Sequence, residues 1–305
     1  MIGSLEQKVE GEVFILDTNI VTPFENNSLN DLLYEGVTGL EKLPADLLQK
    51  RTERIWEVSD LAMKGNLIIL GEVLGEITAD WETLNKHIKY FKRQSGLEDY
   101  HLDRIRELEE YGFEKFKLIK KIGRKEYRIG FRDDLDRSKE ISNALEQGHN
   151  LFVQSLGSDY REKFKKILSE KGHSFDVQKE DYQGKFKVNF NTYIGFLKMA
   201  LDSSHKCKIA AIRNSLQLRS PGCKGLLLDT DSKIVAAASA ISDICPVTIL
   251  TRDYGMNYQI ENVANMSKDG EQRRKYGLHR ASSRKINIFN PEKALETATA
   301  YSQAN

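Results

Sequence analysis

The stretch GEVFILDTNIV, Gly11–Val21, decides how this chain is read. Val13–Leu16 is a short, continuous apolar run of β-branched, aromatic and aliphatic residues. Such a run is expected of a strand covered on both faces of a parallel sheet. It stops on a carboxylate, a hydroxyl and an amide in succession: Asp17, Thr18 and Asn19. A helix cap uses these residue types. So does a strand that delivers a carboxylate to the floor of a site.

Working outward, Leu67–Leu70 and Val247–Leu250 are apolar runs of the same kind, with a shorter one at Gly225–Leu228 and another at Ile286–Phe289. Helices are predicted between them. Asp46–Met63 places Leu47, Leu48, Ile55, Val58 and Leu61 at helical spacings, and Ser232–Ile244 is rich in alanine, which suits close packing on a sheet. Strands alternating with helices give an α/β class. From about Asp80 to Ser220 the chain is highly charged, with apolar residues at helical intervals. The expected organisation is therefore a core whose first part spans 11–81, a long, mostly helical insertion over 82–224, a second core part over 225–291, and a C-terminal helix or tail over 292–305. SPGCKG, Ser220–Gly225, is the expected turn back to the sheet.

Composition narrows the class. The chain has 305 residues, 40% of them hydrophobic and 30% charged, with a formal net charge of +1. That supports a sizeable core under a well-solvated surface. No apolar run approaches the roughly 20 residues needed to cross a bilayer, so no membrane partner is expected. Met1–Gly11 is polar and reads as neither a secretory signal nor an anchor. Cys207, Cys223 and Cys245 are scattered and fit neither a disulfide framework nor a zinc pattern. A reducing, cytoplasmic location is the resulting expectation. His87, His101, His149, His173, His205 and His279 form no ligand-spaced motif and are read as surface or packing residues.

Acids recur at the ends of the strands. Asp17 follows the first, Glu72 and Glu76 follow the second, Asp229 and Asp231 follow Gly225–Leu228, and Asp253 follows Val247–Leu250. Ligands of open α/β sheets bind beyond the carboxyl ends of the strands. Singly, Asp17 or Asp231 would cap a helix, Glu76 would be a solvated helix residue and Asp253 a turn residue. Together they conflict, because two unit charges ~4 Å apart at an effective dielectric of ~20 repel by about 4 kcal/mol. A bound hard dication, Mg²⁺ or Mn²⁺, removes the conflict.

In these residues the chain resembles the PIN-domain nucleases. That family opens with an apolar strand ending in Asp-Thr-Asn or Asp-Thr-Ser, as in VFILDTN, Val13–Asn19. Its next acid is a glutamate in an Ile/Val-Leu-x-Glu-Leu/Ile setting, matched by VLGEI, Val73–Ile77, which selects Glu76 over Glu72. The third lies in Asp-x-x-Ile-x-Ala-Ala, matched by DSKIVAAA, Asp231–Ala238, and the fourth in Thr-x-Asp, matched by Thr251-Arg252-Asp253. INIFNP, Ile286–Pro291, resembles the closing strand. The resemblance covers roughly Gly11–Trp81 and Gly225–Pro291 and leaves out the long insertion. It implies a PIN-like three-layer α/β/α fold with a central, mainly parallel sheet. It also implies that Asp17, Glu76, Asp231 and Asp253 are catalytic metal ligands, with Thr18, Asn19 and Thr251 holding them by hydrogen bonds. Asp229 is an added ligand, a supporting base or simply the strand's end. DTDSK, Asp229–Lys233, also resembles the Asp-x-Asp start of haloacid-dehalogenase-type phosphatases, but Lys233 and the short remaining chain do not suit that group.

The activity so implied is a metal-dependent endonuclease. Clustered carboxylates hold one or two Mg²⁺ or Mn²⁺ ions that activate water against a phosphodiester, leaving 5′-phosphate and 3′-hydroxyl ends. By family analogy RNA is the expected substrate. A nuclease acting on DNA structures and a non-catalytic binding module are the alternatives. A homodimer, or a small antitoxin or other partner protein, is compatible with the family. Two basic clusters offer contacts to nucleic acid. The first is Lys115, Lys117, Lys120, Lys121, Arg124, Lys125, Arg128 and Arg132, interleaved with Phe116, Tyr127 and Phe131. The second is Arg273, Arg274, Lys275, Arg280, Arg284 and Lys285. Such side chains neutralise phosphates, and aromatic faces stack on unpaired bases. A solvated charged face is the plain alternative for each.

Overall fold

A computed structural model describes residues 12–22, 29–44, 46–64, 67–124, 189–217, 230–281 and 285–290, together with 140–141, 143–148, 151 and 154. The chain is mixed α/β and mostly helical. Four strands form one all-parallel sheet, in the order β2-β1-β3-β4. They are β1 (Val13–Leu16), β2 (Leu67–Ile68), β3 (Val247–Leu250) and β4 (Ile286–Phe289). Three have the bounds expected from their apolar runs. The second is shorter than the predicted Leu67–Leu70. Phe14 and Ile15 pair in parallel with Leu67 and Ile68. Ile69 and Leu70 stay buried but leave the ladder. Leu70 is already the N-cap of the next helix, with φ −69° and ψ 151°, so the strand yields to the helix start. The run Gly225–Leu228 lies outside the described residues.

Contacts divide the chain into two compact units. The first holds Met1–Arg128, Leu250–Arg252 and Phe289–Asn305, and the second Ile129–Ile249 and Asp253–Ile288. In the first unit, β1 and a 3₁₀ turn (Thr18–Ile20) precede α1 (Leu29–Tyr34), α2 (Val37–Lys42), α3 (Leu47–Lys64), α4 (Gly71–Phe91) and α5 (Asp99–Arg124). Helix α3 lies within a residue of the predicted Asp46–Met63. Its Ile55, Val58, Leu61 and Ala62 are buried, as are Val73, Ile77, Leu84 and Phe91 of α4 and Ile105, Leu108, Leu118 and Ile122 of α5. Each set recurs at i, i+3, i+4 or i+7, the spacing that puts apolar side chains on one helix face. Helix α5 packs against both α3 and α4. The expected boundary at 81/82 falls inside α4, which runs through it without a break. The first helices of the charged segment thus belong to the same unit as β1.

In the second unit, α6 (Phe190–Gln217) packs on α7 (Thr230–Ser242), and α8 (Tyr254–Lys268) packs on both, followed by α9 (Gly270–Lys275). Helix α7 begins and ends two residues before the predicted Ser232–Ile244. It is buried almost all round, from Ser232 to Ser242, which its small alanine and serine side chains permit. Gly195 of α6 fills a close approach. A Cβ there would stand 2.8 Å from the Tyr276 carbonyl oxygen and 2.6 Å from a Leu278 methyl. Tyr276 donates its hydroxyl to Asp202 Oδ2 of α6 at 2.6 Å.

Candidate functional site

From β1 the chain crosses to β2 on one side, and β3 and β4 lie on the other. Asp17 directly follows β1, and Thr251 directly follows β3.

Asp17 is 6% exposed and occupies the N-cap position of the 3₁₀ turn, yet its side chain makes no capping hydrogen bond. Its carboxylate is turned elsewhere. Oδ2 accepts from Thr251 Oγ1 at 2.6 Å and from Asn19 Nδ2 at 2.5 Å. Asn19 is fixed in turn: its Oδ1 accepts from the Arg252 amide at 2.9 Å, and its Nδ2 lies 3.2 Å from Thr251 Oγ1. The backbone completes the cradle. The Asp17 amide donates to the Leu250 carbonyl at 3.0 Å, and the Thr251 amide to the Phe289 carbonyl at 3.2 Å. An ionised carboxylate only accepts hydrogen bonds. Here the neighbouring hydroxyl and amide both arrive as donors, so one carboxylate oxygen is aimed and held.

Glu76 stands in α4, half-buried, and accepts the hydroxyl proton of Thr18. Thr18, next to Asp17 in the chain, thus ties the turn after β1 to the helix of Glu76. Glu72 lies in the first turn of α4, where a carboxylate complements the helix dipole. The bland and the functional readings of the acids separate here. Asp17 does not cap; Asp253 does, accepting from the Gly255 amide at 2.7 Å as the N-cap of α8. Asp253 and Asp231, which sits half-buried in the first turn of α7, belong to the second unit. Asp229 lies outside the described residues. Among the described residues, no group of three or more His, Cys, Asp or Glu side chains is gathered as a metal site.

The basic clusters divide in a way their sequence does not announce. Lys115 was expected with its neighbours in a cationic face. It is instead wholly buried, ion-paired with Asp80 of α4 and 3.5 Å from the Tyr111 hydroxyl. Burial lowers its pKa, against the attraction of Asp80. Lys117 and Lys120 are exposed. Lys117 Nζ lies 4.4 Å from the Phe113 ring centroid and binds Glu114 at 2.6 Å, and Lys120 Nζ lies 5.2 Å from the Phe116 centroid. Phe116 stacks on Trp81 at 5.1 Å, and Trp81 donates to the Gly112 carbonyl. Lys121 is half-buried. Nothing is described of the Arg124 side chain, and Lys125, Arg128 and Arg132 lie outside the described residues. Arg273 and Arg274 occupy the last turn of α9 and reach back to the carbonyls of Ser267 and Gly270. Arg284 lies outside the described residues.

Of the histidines, His87 packs edge-on against Tyr34 at 4.7 Å, and burial lowers its pKa. His101 is buried between the Glu98 amide, which donates to Nδ1, and Glu41 Oε1 at 3.1 Å. Sequence reasoning missed Tyr111 and Asp80. Asp80 follows Glu76 by four residues and Lys115 follows Tyr111 by four, so each pair shares a helix face; that spacing was the available signal. No family model, curated protein or solved structure matches this chain.

Proposed function

We propose that the chain is a divalent-metal-dependent endonuclease of PIN type, hydrolysing phosphodiester bonds in RNA. The observation that carries this reading is the cradle that Asn19 and Thr251 form around the Asp17 carboxylate, directly after β1. Burying a carboxylate and locking its direction with a threonine and an asparagine is costly for a mere strand end. It is the arrangement a positioned ligand requires. The donors that Asp17 and Glu76 present are all oxygens, which suits Mg²⁺ or Mn²⁺ rather than a softer ion.

In this reading Asp17 and Glu76 hold the ion. Thr251 and Asn19 orient Asp17, and Thr18 orients Glu76. The ion supplies Lewis acidity, favouring ionisation of a water and offsetting charge that develops on the phosphate. The exposed Lys117 and Lys120 supply positive charge that an acidic site needs beside a polyanion.

The test is cleavage of single-stranded RNA, single-stranded DNA, duplex and flap substrates, each with Mn²⁺, Mg²⁺ or excess EDTA. RNA cleavage should require the metal. Asp17→Asn should lower it by more than about a hundredfold, beyond the usual cost of losing a ligand's hydrogen-bond partner. Robust cleavage in EDTA, or an unimpaired Asp17→Asn, overturns the reading. Preference for a flap or duplex assigns the site to DNA.

A further inference from the structure

Helix α5 carries no acid of the proposed metal set, yet one of its faces reaches the turn of Asp17 and the helix of Glu76. Tyr111 and Lys115, four residues apart, are both fully buried. Lys115 ion-pairs with Asp80, one helical turn beyond Glu76 on α4. Tyr111 donates its hydroxyl to the Val21 carbonyl at 3.2 Å. Val21 closes the turn that begins at Asp17: its amide, like that of Thr22, donates to the Thr18 carbonyl, at 3.1 and 3.0 Å respectively. The Thr22 hydroxyl reaches the same carbonyl at 2.9 Å. The ammonium of Lys115 joins the two grips, lying 3.5 Å from the Tyr111 hydroxyl and 5.5 Å from the centre of its ring. Arg51 of α3, also buried, lies close enough to act electrostatically on Tyr111.

From this arrangement we infer that Asp80, Lys115 and Tyr111 form a brace through which α5 fixes the turn of Asp17 and Thr18 against the helix of Glu76. Tyr111 is a positioning residue: it touches no ligand and acts on Asp17 and Thr18 through the Val21 carbonyl. The physical case is one of local freedom. A short turn after a strand opens readily unless its carbonyls are held. The Tyr111 hydroxyl supplies such a hold from inside the core. An ion pair in a low-dielectric setting directs two helices more strictly than apolar contact, which tolerates sliding. The first part of the charged segment thereby serves the site as its back wall. The inference rests on the proposed metal site for its functional meaning, and on geometry alone for the brace.

The test uses the full chain with Tyr111→Phe, which removes one hydroxyl and keeps the ring, beside Leu118→Ala as a control. Leu118 is buried further along α5, outside the brace. Amide hydrogen exchange at Val21 and Thr22 is read without metal, and Mn²⁺ affinity by calorimetry. Tyr111→Phe should speed exchange at these two amides and weaken Mn²⁺ about tenfold, as losses behind a ligand do. Leu118→Ala should leave the ratio of turn exchange to global exchange unchanged. Unaltered turn exchange in a folded Tyr111→Phe overturns the brace, as does an equal effect from Leu118→Ala. If the wild type binds no Mn²⁺ while turn exchange still responds, the brace stands and the metal reading fails.

Discussion

Replacing Lys115 with methionine tests the core of the first unit at its most exacting point. The lysine side chain is 0% exposed and that of Asp80 11%, so the pair is almost entirely removed from water. Methionine matches the volume of the stem but takes the ammonium away from a carboxylate that stays buried. Removing one member of a buried ion pair costs about 3–5 kcal/mol, far above the ~0–1 kcal/mol typical of exposed pairs. At roughly 2–4 °C per kcal/mol for a domain of this size, the melting temperature should fall by about 6–20 °C. Lys115→Met with Asp80→Leu should recover much of the loss, because the charge left behind is removed as well. The assay is guanidinium unfolding followed by tryptophan fluorescence, with both substitutions singly and together. A pH series adds a second readout. Burial holds the Lys115 pKa below its ordinary 10.5. Between that lowered value and about 10.5 the unfolded chain binds more protons than the folded one, so wild-type stability gains with rising pH. Lys115→Met lacks this gain. Tyr111, whose pKa burial raises, contributes oppositely above its ordinary 10.0 but is present in both proteins. A Lys115→Met protein within ~1 kcal/mol of wild type, the range of surface pairs, would refute the reasoning.

Thr251→Val keeps the shape of a buried side chain and deletes the donor to Asp17 Oδ2. It should cost about 1–3 kcal/mol in urea unfolding, since a buried charged acceptor loses a partner, whereas Thr251→Ser should cost much less. Alanine at both Lys120 and Lys121 should weaken single-stranded RNA binding in a filter assay. The slope of log affinity against log salt should flatten by about 0.7 for each phosphate no longer neutralised. An unchanged slope assigns this end of α5 to a solvated face.

The sequence alone established the strands and the candidate acids. Val13–Leu16 is legible because a strand buried on both faces needs an unbroken apolar run; Val247–Leu250 and Ile286–Phe289 each hold one polar residue among apolar ones, and the latter is only half-buried. Asp17, Thr18 and Asn19 stood out as polar residues at the end of such a run. Their use was not legible. Capping and site-building call for the same residue types, and only tertiary structure separates Asp253, which caps its helix, from Asp17, which does not. The hydrogen bond from Thr251 to Asp17 spans 234 positions, a pairing created by strand order and absent from any local pattern. Lys115 shows the same limit. In sequence it is one more lysine in a basic run; in the fold it points inward, because helical periodicity places it beneath Tyr111 and opposite Asp80. Local chemistry determines which elements form and which residues can act. Which of them meet is decided by packing, through contacts between residues that the chain itself keeps far apart.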